Sequence, residues 1–265
     1  MTDYPTGLGT SDRDTISLLG HDLAGDLLGT VTFGELAFWL ATQQRPTPQQ
    51  LRVFEAVLVS LADHGFTPTA IAARLTYYSA PDSLQGAIAA GLLGGGSRFL
   101  GVTEDTGKFL HTALAGIGDT TGFTDDDWDA AALTLLTETK ELGRRVPGLG
   151  HPVHKVRDPR TAVIIRIAEE EGVRGPHLRL FEAIGRTNAQ VLGKELPLNG
   201  AGVAGAALAD LGLPIDLLRG FALLARTAGL IGHLAEERVN PIAPAIYAEV
   251  DRNAVYVPAA AASAE

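Results

Sequence analysis

The chain has 265 residues, of which 46% are hydrophobic and 20% are charged, and its formal net charge is −10 at pH 7. This composition is typical of a globular protein with an ample core, arranged as one large domain or two smaller ones. The acidic balance argues against sequence-independent nucleic-acid binding, and the absence of cysteine excludes disulfides, thiolate nucleophiles and cysteine metal sites.

Neither the N-terminal segment nor the most apolar stretch of the chain is predicted to be a targeting or membrane segment. Residues 1–15 are polar and lack the basic-then-apolar layout of a signal peptide. The most apolar stretch, residues 217–234, contains Arg219, Arg226 and His233, so it is typical of a buried helix rather than of a membrane span. We therefore expect a cytoplasmic protein that does not associate with a membrane.

Helical periodicity runs along nearly the whole chain. In chain order, the predicted helices cover residues 33–44, 48–64, 68–78, 82–93, 104–114, 125–145, 160–171, 176–192, 202–211 and 215–237. Several begin with a polar cap followed by proline, as at Thr47-Pro48 and Thr67-Pro68. Only residues 162–167 resemble a strand, and the cap before them and the glutamates after them favour a helix. The predicted fold class is all-α.

The loop at residues 150–160 concentrates the ionisable side chains that a site needs. His151 lies between Gly150 and Pro152, so its backbone is constrained, and an imidazole can move a proton near neutral pH. Arg160 lies beside a helix N-terminus, where backbone N–H groups already favour an anion. Lys155 is placed to meet a phosphate, His154 could simply pack, and Asp158 has a purely structural explanation as the helix cap.

Several other motifs allow two interpretations. Gly94 to Arg98 is either a helix C-cap or a set of N–H groups that holds an oxyanion together with Ser97 and Arg98. Arg226 interrupts an apolar helix as either a structural ion pair or a ligand clamp. His64 is explained equally well by a helix C-terminus, whose dipole favours an imidazolium, and by a site.

Two further motifs favour a structural interpretation. Residues 200–205 match G-x-G-x-x-G, but the preceding segment is predicted to be helix and loop, so the strand that a dinucleotide site needs is absent. We therefore do not expect NAD binding. His233 is interpreted as a packing histidine with satisfied hydrogen bonds.

Together these residues resemble the citrate synthase superfamily, and more closely citryl-CoA lyase and the citryl-CoA-cleaving part of ATP-citrate lyase. The most specific piece is the run 148–155, GLGHPVHK, with Asp158-Pro159-Arg160. Supporting pieces are Asp63-His64-Gly65, residues 94–99, residues 199–202 and the helix from Ala225 to His233. The resemblance extends from about His21 to Glu237.

The resemblance implies a two-domain, all-helical, dimeric fold with the active site in the cleft. A large domain would comprise residues 1–97 and 213–265 and carry the dimer contact. A small domain on the coenzyme A side would comprise residues 98–212. The Gly-rich breaks near 94–101 and 212–214 agree with these boundaries.

The resemblance also implies the chemistry, which is a Claisen condensation or its reverse on a coenzyme A thioester, without a metal. Citryl-CoA, or a related 3-hydroxyacyl-CoA, would be cleaved to acetyl-CoA and oxaloacetate. The predicted small-molecule ligands are therefore an acyl-CoA and a dicarboxylate or tricarboxylate. The implied roles are catalytic for His151 and Ser97, substrate-binding for His64, Arg160 and Arg226, and coenzyme A-binding for Lys155, Arg98 and Gly150.

The sequence departs from the family pattern at two positions. Ser97 stands where citrate synthases carry a histidine that polarises the thioester oxygen, although lyases often lack that histidine as well. Ala201 stands where the family has an aspartate that moves the proton at the acetyl carbon, and a methyl group cannot transfer a proton. Two alternatives therefore remain: a homologue that binds the acyl-CoA or dicarboxylate with weakened catalysis, and a condensing enzyme for another 2-oxo acid.

Overall fold

The computed structural model describes residues 3–151, 154 and 156–258. Within these ranges the fold is mostly helical, which confirms the predicted all-α class. A π-helical turn (Leu23–Leu27) and a 3-10 turn (Ile215–Leu217) accompany the α-helices. The α-helices are α1 (Phe33–Thr42), α2 (Pro48–Ala62), α3 (Pro68–Ser79), α4 (Leu84–Leu93), α5 (Val102–Ile117), α6 (Asp125–Glu141), α7 (Pro159–Glu170), α8 (Pro176–Leu192), α9 (Gly200–Asp210), α10 (Leu218–Glu237) and α11 (Ala243–Arg252).

Three short strands precede α1, and the sequence interpretation did not predict them. They are β1 (Gly9–Ser11), β2 (Ile16–Leu18) and β3 (His21–Asp22), paired antiparallel in that order. Leu19 and Gly20, between β2 and β3, have φ values of 53° and 81°. Two consecutive residues in this left-handed conformation form the tight turn that joins twisted strands. Strands this short show no measurable alternation of apolar residues, so the turn is the feature of the sequence that could have predicted them.

Most helix starts follow the local capping chemistry that the sequence predicts. The Thr47 hydroxyl accepts the Gln50 N–H at 3.2 Å, and the Gln50 side chain accepts the Thr47 N–H at 2.9 Å. Thr124 and Asp127 form the same reciprocal box at α6. Helix α6 ends at Glu141 rather than at the predicted residue 145, because Gly143 adopts a left-handed φ of 66° and stops it.

The chain divides into two compact units. Unit 1 comprises Met1–Ala62 and Gly96–Ala225. Its core contains Phe54, which packs edge to face against Phe38 and Phe221 with ring centroids 5.4 Å apart in both pairs. Helix α9 contacts helices α2, α5, α7 and α8, so it is the central element of unit 1. Its Ala- and Gly-rich sequence fits this position, because small side chains allow helices to pack closely.

Unit 2 comprises Asp63–Gly95 and Arg226–Glu265. Helix α3 packs against α4 and α11, and a small apolar core forms from Ala70, Ala73, Ala87, Leu230 and Leu234. The units divide the chain near residues 62, 95 and 225, whereas the predicted domains divide it at 97 and 212, so that domain organisation stays a prediction. No helix in the described ranges is long and apolar enough to cross a membrane.

Candidate active site

The loop before His151 is fastened to the segment that leads into α9. Leu149 and Leu198 form an antiparallel bridge, and the Gly150 N–H donates to the Pro197 carbonyl oxygen at 2.7 Å. Gly148 has a φ of 80°, and a Cβ there would lie 2.9 Å from both the Gly202 Cα and the Phe181 ring. Only glycine meets both conditions, which explains this part of the motif in physical terms.

Asn199 connects the same two segments through its side chain. Its Oδ1 accepts the Gly202 N–H at 2.8 Å and so caps α9, while its Nδ2 donates to the Gly150 carbonyl oxygen at 2.8 Å. The Asn199 N–H donates to the Gly148 carbonyl oxygen at 2.9 Å. The loop that presents His151 is therefore held by backbone and amide bonds on a rigid helix start.

The His151 ring is oriented by the residue three positions later. The His154 backbone N–H donates to the His151 Nδ1 at 2.9 Å, and the two imidazole rings stack with centroids 4.4 Å apart. Because Nδ1 accepts a hydrogen bond, the neutral ring carries its hydrogen on Nε2. In this tautomer His151 is a hydrogen-bond donor through Nε2, which suits an oxygen that gains negative charge.

Asp158 and Arg160 form a bidentate pair at the start of α7. The Arg160 Nε and Nη2 donate to the two Asp158 oxygens at 2.9 and 2.7 Å, and Nη1 donates to the Ser60 carbonyl oxygen at 3.2 Å. The Arg160 N–H donates to the Asp158 Oδ1 at 3.1 Å, which confirms Asp158 as the cap of α7. The guanidinium predicted to bind substrate is thus oriented by a carboxylate two residues before it.

Asp158 has a second partner that the sequence interpretation missed. Its Oδ2 also accepts the Gly200 N–H at the start of α9, at 2.7 Å. Burial raises the pKa of the Asp158 carboxyl, but the hydrogen bonds from Arg160 and Gly200 and the positive charge of Arg160 hold it well below its usual range. Asp158 is therefore a buried anion that joins α7, Arg160 and α9.

The start of α9 explains why residue 200 is a glycine. A Cβ on Gly200 would lie 2.2 Å from the Arg160 Nε, so the guanidinium packs directly on this backbone. Ala201, which the resemblance predicts to stand at the family's aspartate position, is the next residue and packs partly buried against the unit 1 core. In the described part of the chain the element directly before α9 is helix α8 and not a strand, in agreement with the interpretation that residues 200–205 are not a dinucleotide motif.

Ser97 and Arg98 lie in an exposed turn that leads into α5. The turn closes on the Gly96 carbonyl oxygen, which accepts the N–H groups of Phe99 and Gly101 at 3.0 and 2.9 Å. A Cβ on Gly101 would lie 2.6 Å from that oxygen, so the turn is tight. Two of its N–H groups are thus used internally, and both predicted side chains are accessible to a ligand.

Unit 2 carries two of the predicted residues. His64 is half-buried in the turn between α2 and α3, and Arg226 is buried on α10. Lys155, with Pro152 and Val153, lies outside the described residues. His233 has satisfied hydrogen bonds, as the sequence interpretation held, since its ring contacts Arg74 and Asp63.

The sequence interpretation missed the buried ion-pair network of unit 2. Arg74 is fully buried on α3, and its guanidinium bonds to Glu237 at 2.9 Å and to Glu236. The signal that could have revealed it is an arginine on the apolar face of α3 that also carries Ala70 and Ala73, since a buried charge needs a partner.

A separate cavity of about 860 Å³ lies between α5 and α6 in unit 1. Its described lining includes the apolar side chains of Phe109 and Leu135 and the cations Arg144 and Arg145. The predicted site residues within the described ranges do not line it, so its size does not bear on their roles.

This mostly helical fold matches the citrate synthase-like fold of its structural neighbours. The family model described as "Citrate synthase, C-terminal domain" matches residues 21–245. The chain therefore belongs to the citrate synthase family, as the sequence resemblance predicted.

Known relatives agree with this assignment. The citrate synthase of Deinococcus radiodurans is 29% identical over 228 residues, which are 82% of this chain and 55% of that protein. The structure of citryl-CoA lyase from Hydrogenobacter thermophilus matches with a TM-score of 0.84 and 28% identity, covering 99% of this chain and 97% of that one.

A more distant structure matches in fold alone. An ATP citrate lyase variant of Methanosaeta concilii, in complex with (3S)-citryl-CoA, matches with a TM-score of 0.73 and 21% identity, covering 98% of this chain and 42% of that one. The chain spans about half the length of the citrate synthases that it matches in sequence.

Proposed function

We propose that this protein is a citryl-CoA lyase-type enzyme, which cleaves citryl-CoA or a related 3-hydroxyacyl-CoA to acetyl-CoA and oxaloacetate. The observation that carries the proposal is the similarity to citryl-CoA lyase from Hydrogenobacter thermophilus over nearly the full length of both chains. The glycine loop that orients His151 supports it, because carbon–carbon cleavage of this kind needs a polar group at the substrate oxygen.

The reaction is a balanced retro-Claisen step. The tertiary hydroxyl loses its proton and becomes the ketone of oxaloacetate, while the adjacent carbon–carbon bond breaks. The bonding electrons pass to the acetyl-CoA enolate, whose carbon then takes up one proton. The enzyme must therefore act on two oxygens, that of the hydroxyl and that of the thioester, and on one carbon.

In this proposal the His151 Nε2–H donates a hydrogen bond to the substrate oxygen as charge develops there, and the hydroxyl proton passes to solvent water. Its hydrogen bond from the His154 N–H supports this role, because that bond leaves the hydrogen on Nε2. Ser97 faces the thioester oxygen. The remaining proposed contacts are substrate carboxylates for Arg160, Arg226 and His64, and coenzyme A for Lys155, Arg98 and Gly150.

A second candidate function follows from Ala201. The loss of a positioned acid or base costs about 10²–10⁴ in rate, which leaves ligand binding intact. A homologue that binds an acyl-CoA or a carboxylate without appreciable turnover is therefore the alternative. In the lyase, water or another side chain would protonate the enolate carbon.

The decisive assay incubates the purified chain with citryl-CoA and follows oxaloacetate release through coupled NADH oxidation by malate dehydrogenase. We expect release by the wild type and a loss of about 10²–10³-fold in His151→Ala, the cost of removing one oxyanion donor. His111→Ala, which removes an exposed imidazole on α5, is the matched control and should retain activity. Absent release, or release unaffected by His151→Ala, would refute the lyase.

The alternative has its own test. Isothermal titration of the wild type with coenzyme A and with citrate measures binding without turnover. Binding of either ligand together with no oxaloacetate release would support the non-catalytic homologue. If neither ligand binds and no release occurs, both proposals are wrong.

A further inference from the structure

A buried network in unit 2 ends at the turn that carries His64. Arg74 is fully buried, and three of its nitrogens bond within this unit. Nε and Nη2 point at the His233 Nδ1 at 3.1 and 3.0 Å, and Nη1 donates to the Glu237 carboxylate at 2.9 Å. The Phe66 ring covers the guanidinium, with its centroid 5.1 Å from Cζ.

These contacts determine the tautomer of His233. A guanidinium only donates hydrogen bonds and does not deprotonate in proteins, so the Nδ1 that it faces must present a lone pair. The hydrogen of the ring is therefore on Nε2. That nitrogen lies 2.9 Å from the Asp63 Oδ1, a carboxylate oxygen that accepts it. His233 is thus an acceptor towards Arg74 and a donor towards Asp63.

Asp63 carries the network to the backbone around His64. Its Oδ2 accepts the Gly65 N–H at 2.8 Å. Burial raises the pKa of the Asp63 carboxyl, but hydrogen bonds from the Gly65 N–H, from His233 and from the His64 N–H hold it below its ordinary value. The carboxylate therefore accepts hydrogen bonds from the backbone N–H groups on both sides of the His64 Cα.

Helix α10 anchors the other end of the network. His233 follows Arg226 by two helical turns, so the two side chains leave α10 on the same face. Glu237, one turn further, accepts the N–H groups of Ile242 and Ala243 at 3.0 and 2.9 Å. The start of α11, α10 and the His64 turn are thus joined by one series of hydrogen bonds, which runs from buried Arg74 to the exposed Asp63.

We propose that His233 is a positioning residue, which as the Nε2–H tautomer connects buried Arg74 to Asp63 and so fixes the turn that presents His64 to a substrate carboxylate or carbonyl. This inference rests on the proposed function for the role of His64. The connection itself is a property of the described residues of unit 2.

The first experiment needs no activity. Imidazole ¹⁵N spectra of the wild type at neutral pH should show a protonated Nε2 and an unprotonated Nδ1 for His233, assigned by loss of the signals in His233→Gln. A ring with the hydrogen on Nδ1, or on both nitrogens, would overturn the proposal. The His64 ring signal should stay in place in His233→Gln and shift or broaden in His233→Leu.

The second experiment separates positioning from stability. Glutamine offers one acceptor and one donor at the spacing of the imidazole nitrogens, whereas leucine offers neither. With citryl-CoA, His233→Leu should lose up to about 100-fold in kcat/KM, the effect of misplacing a substrate contact, and His233→Gln should recover most of it. Asp63→Asn keeps an acceptor for His233 but loses the carboxylate oxygen that accepts the Gly65 N–H, so its kcat/KM should fall as far as that expected for His233→Leu. It therefore tests the same connection even if His233→Leu fails to fold.

The outcomes are distinguishable. If the wild type does not cleave citryl-CoA, the proposed function fails, and the ¹⁵N and His64 signals still test the connection. If the wild type is active and His233→Gln loses as much as His233→Leu, or neither loses activity at matched melting temperature, the positioning role is wrong.

Discussion

Replacing Asp158 should remove the hydrogen bonds that join Arg160 and the start of α7 to the start of α9. The carboxylate accepts hydrogen bonds from Arg160 at 2.9 and 2.7 Å and from the Gly200 N–H at 2.7 Å. Asp158→Ala leaves a partly buried guanidinium and a buried N–H without this acceptor. Removing one partner of a buried ion pair costs about 3–5 kcal/mol. We count the loss of the α7 cap, about 1 kcal/mol, within this range. We expect the free energy of unfolding of unit 1 to fall by that amount.

Tryptophan fluorescence in urea measures this change selectively. The chain has two tryptophans. Both Trp39 and Trp128 are buried in unit 1, so their emission follows the unfolding of the unit that contains Asp158. Asp14→Asn, in an exposed loop of the same unit, is the matched control and should change the stability by no more than about 0.5 kcal/mol. Equal midpoints for Asp158→Ala and Asp14→Asn would refute the argument.

The pH dependence tests the same bond by a different route. The folded-state pKa of Asp158 is depressed, so its contribution to stability is complete above the unfolded-state pKa, near 3.9, and is lost as the pH falls towards the folded-state value. Asp158→Asn removes that dependence. The stability gap between the wild type and Asp158→Asn should therefore be largest at neutral pH and shrink below about pH 4. A gap that stays constant to about pH 3 would show that the carboxylate charge is not involved.

Four further outcomes are expected. In the same urea titration, Gly200→Ala should lower the stability of unit 1 by about 1–3 kcal/mol, because a Cβ there meets the Arg160 Nε. Gly116→Ala, in open space on α5, is its control and should raise the stability by about 0.5–1 kcal/mol. Arg74→Met should cost unit 2 about 3–5 kcal/mol, because Glu237 keeps a buried charge, and a circular dichroism melt that shows no change would contradict this. Ala201→Asp should raise oxaloacetate release by about 10²–10⁴-fold if the missing acid or base limits the rate, and an unchanged rate would point to another donor. Sedimentation velocity at micromolar concentration should show a dimer, and a monomer would count against the expected assembly.

Local chemistry made the helices predictable. The caps at Thr67 and Thr124 each accept an N–H three residues later, so the signal and the structure it predicts lie within one turn. The hairpins at residues 9–22 were not predicted from the sequence, because their strands are too short to show periodicity and Leu19-Gly20 is not one of the common turn pairs. Helix α11 also went unpredicted, although Pro244 lies in its first turn.

The residues of the candidate site were also predicted only where a local motif marks them. The sequence indicated His151 and Arg160, because both lie in a motif with glycine and proline at constrained positions. It also indicated Asp158, but only as a cap. The second bond of Asp158, to Gly200, joins residues 42 positions apart and depends on α9 packing beside α7.

The sequence by itself determined the helical class, most helix starts, the loop around His151 and the family, because these depend on residues within about one helical turn or on a contiguous motif. Only the tertiary structure decided the partners. Arg74 meets Glu237 across 163 positions, and nothing near Arg74 in the chain specifies that pairing. Buried charges need partners, but which ones they find depends on how the helices pack.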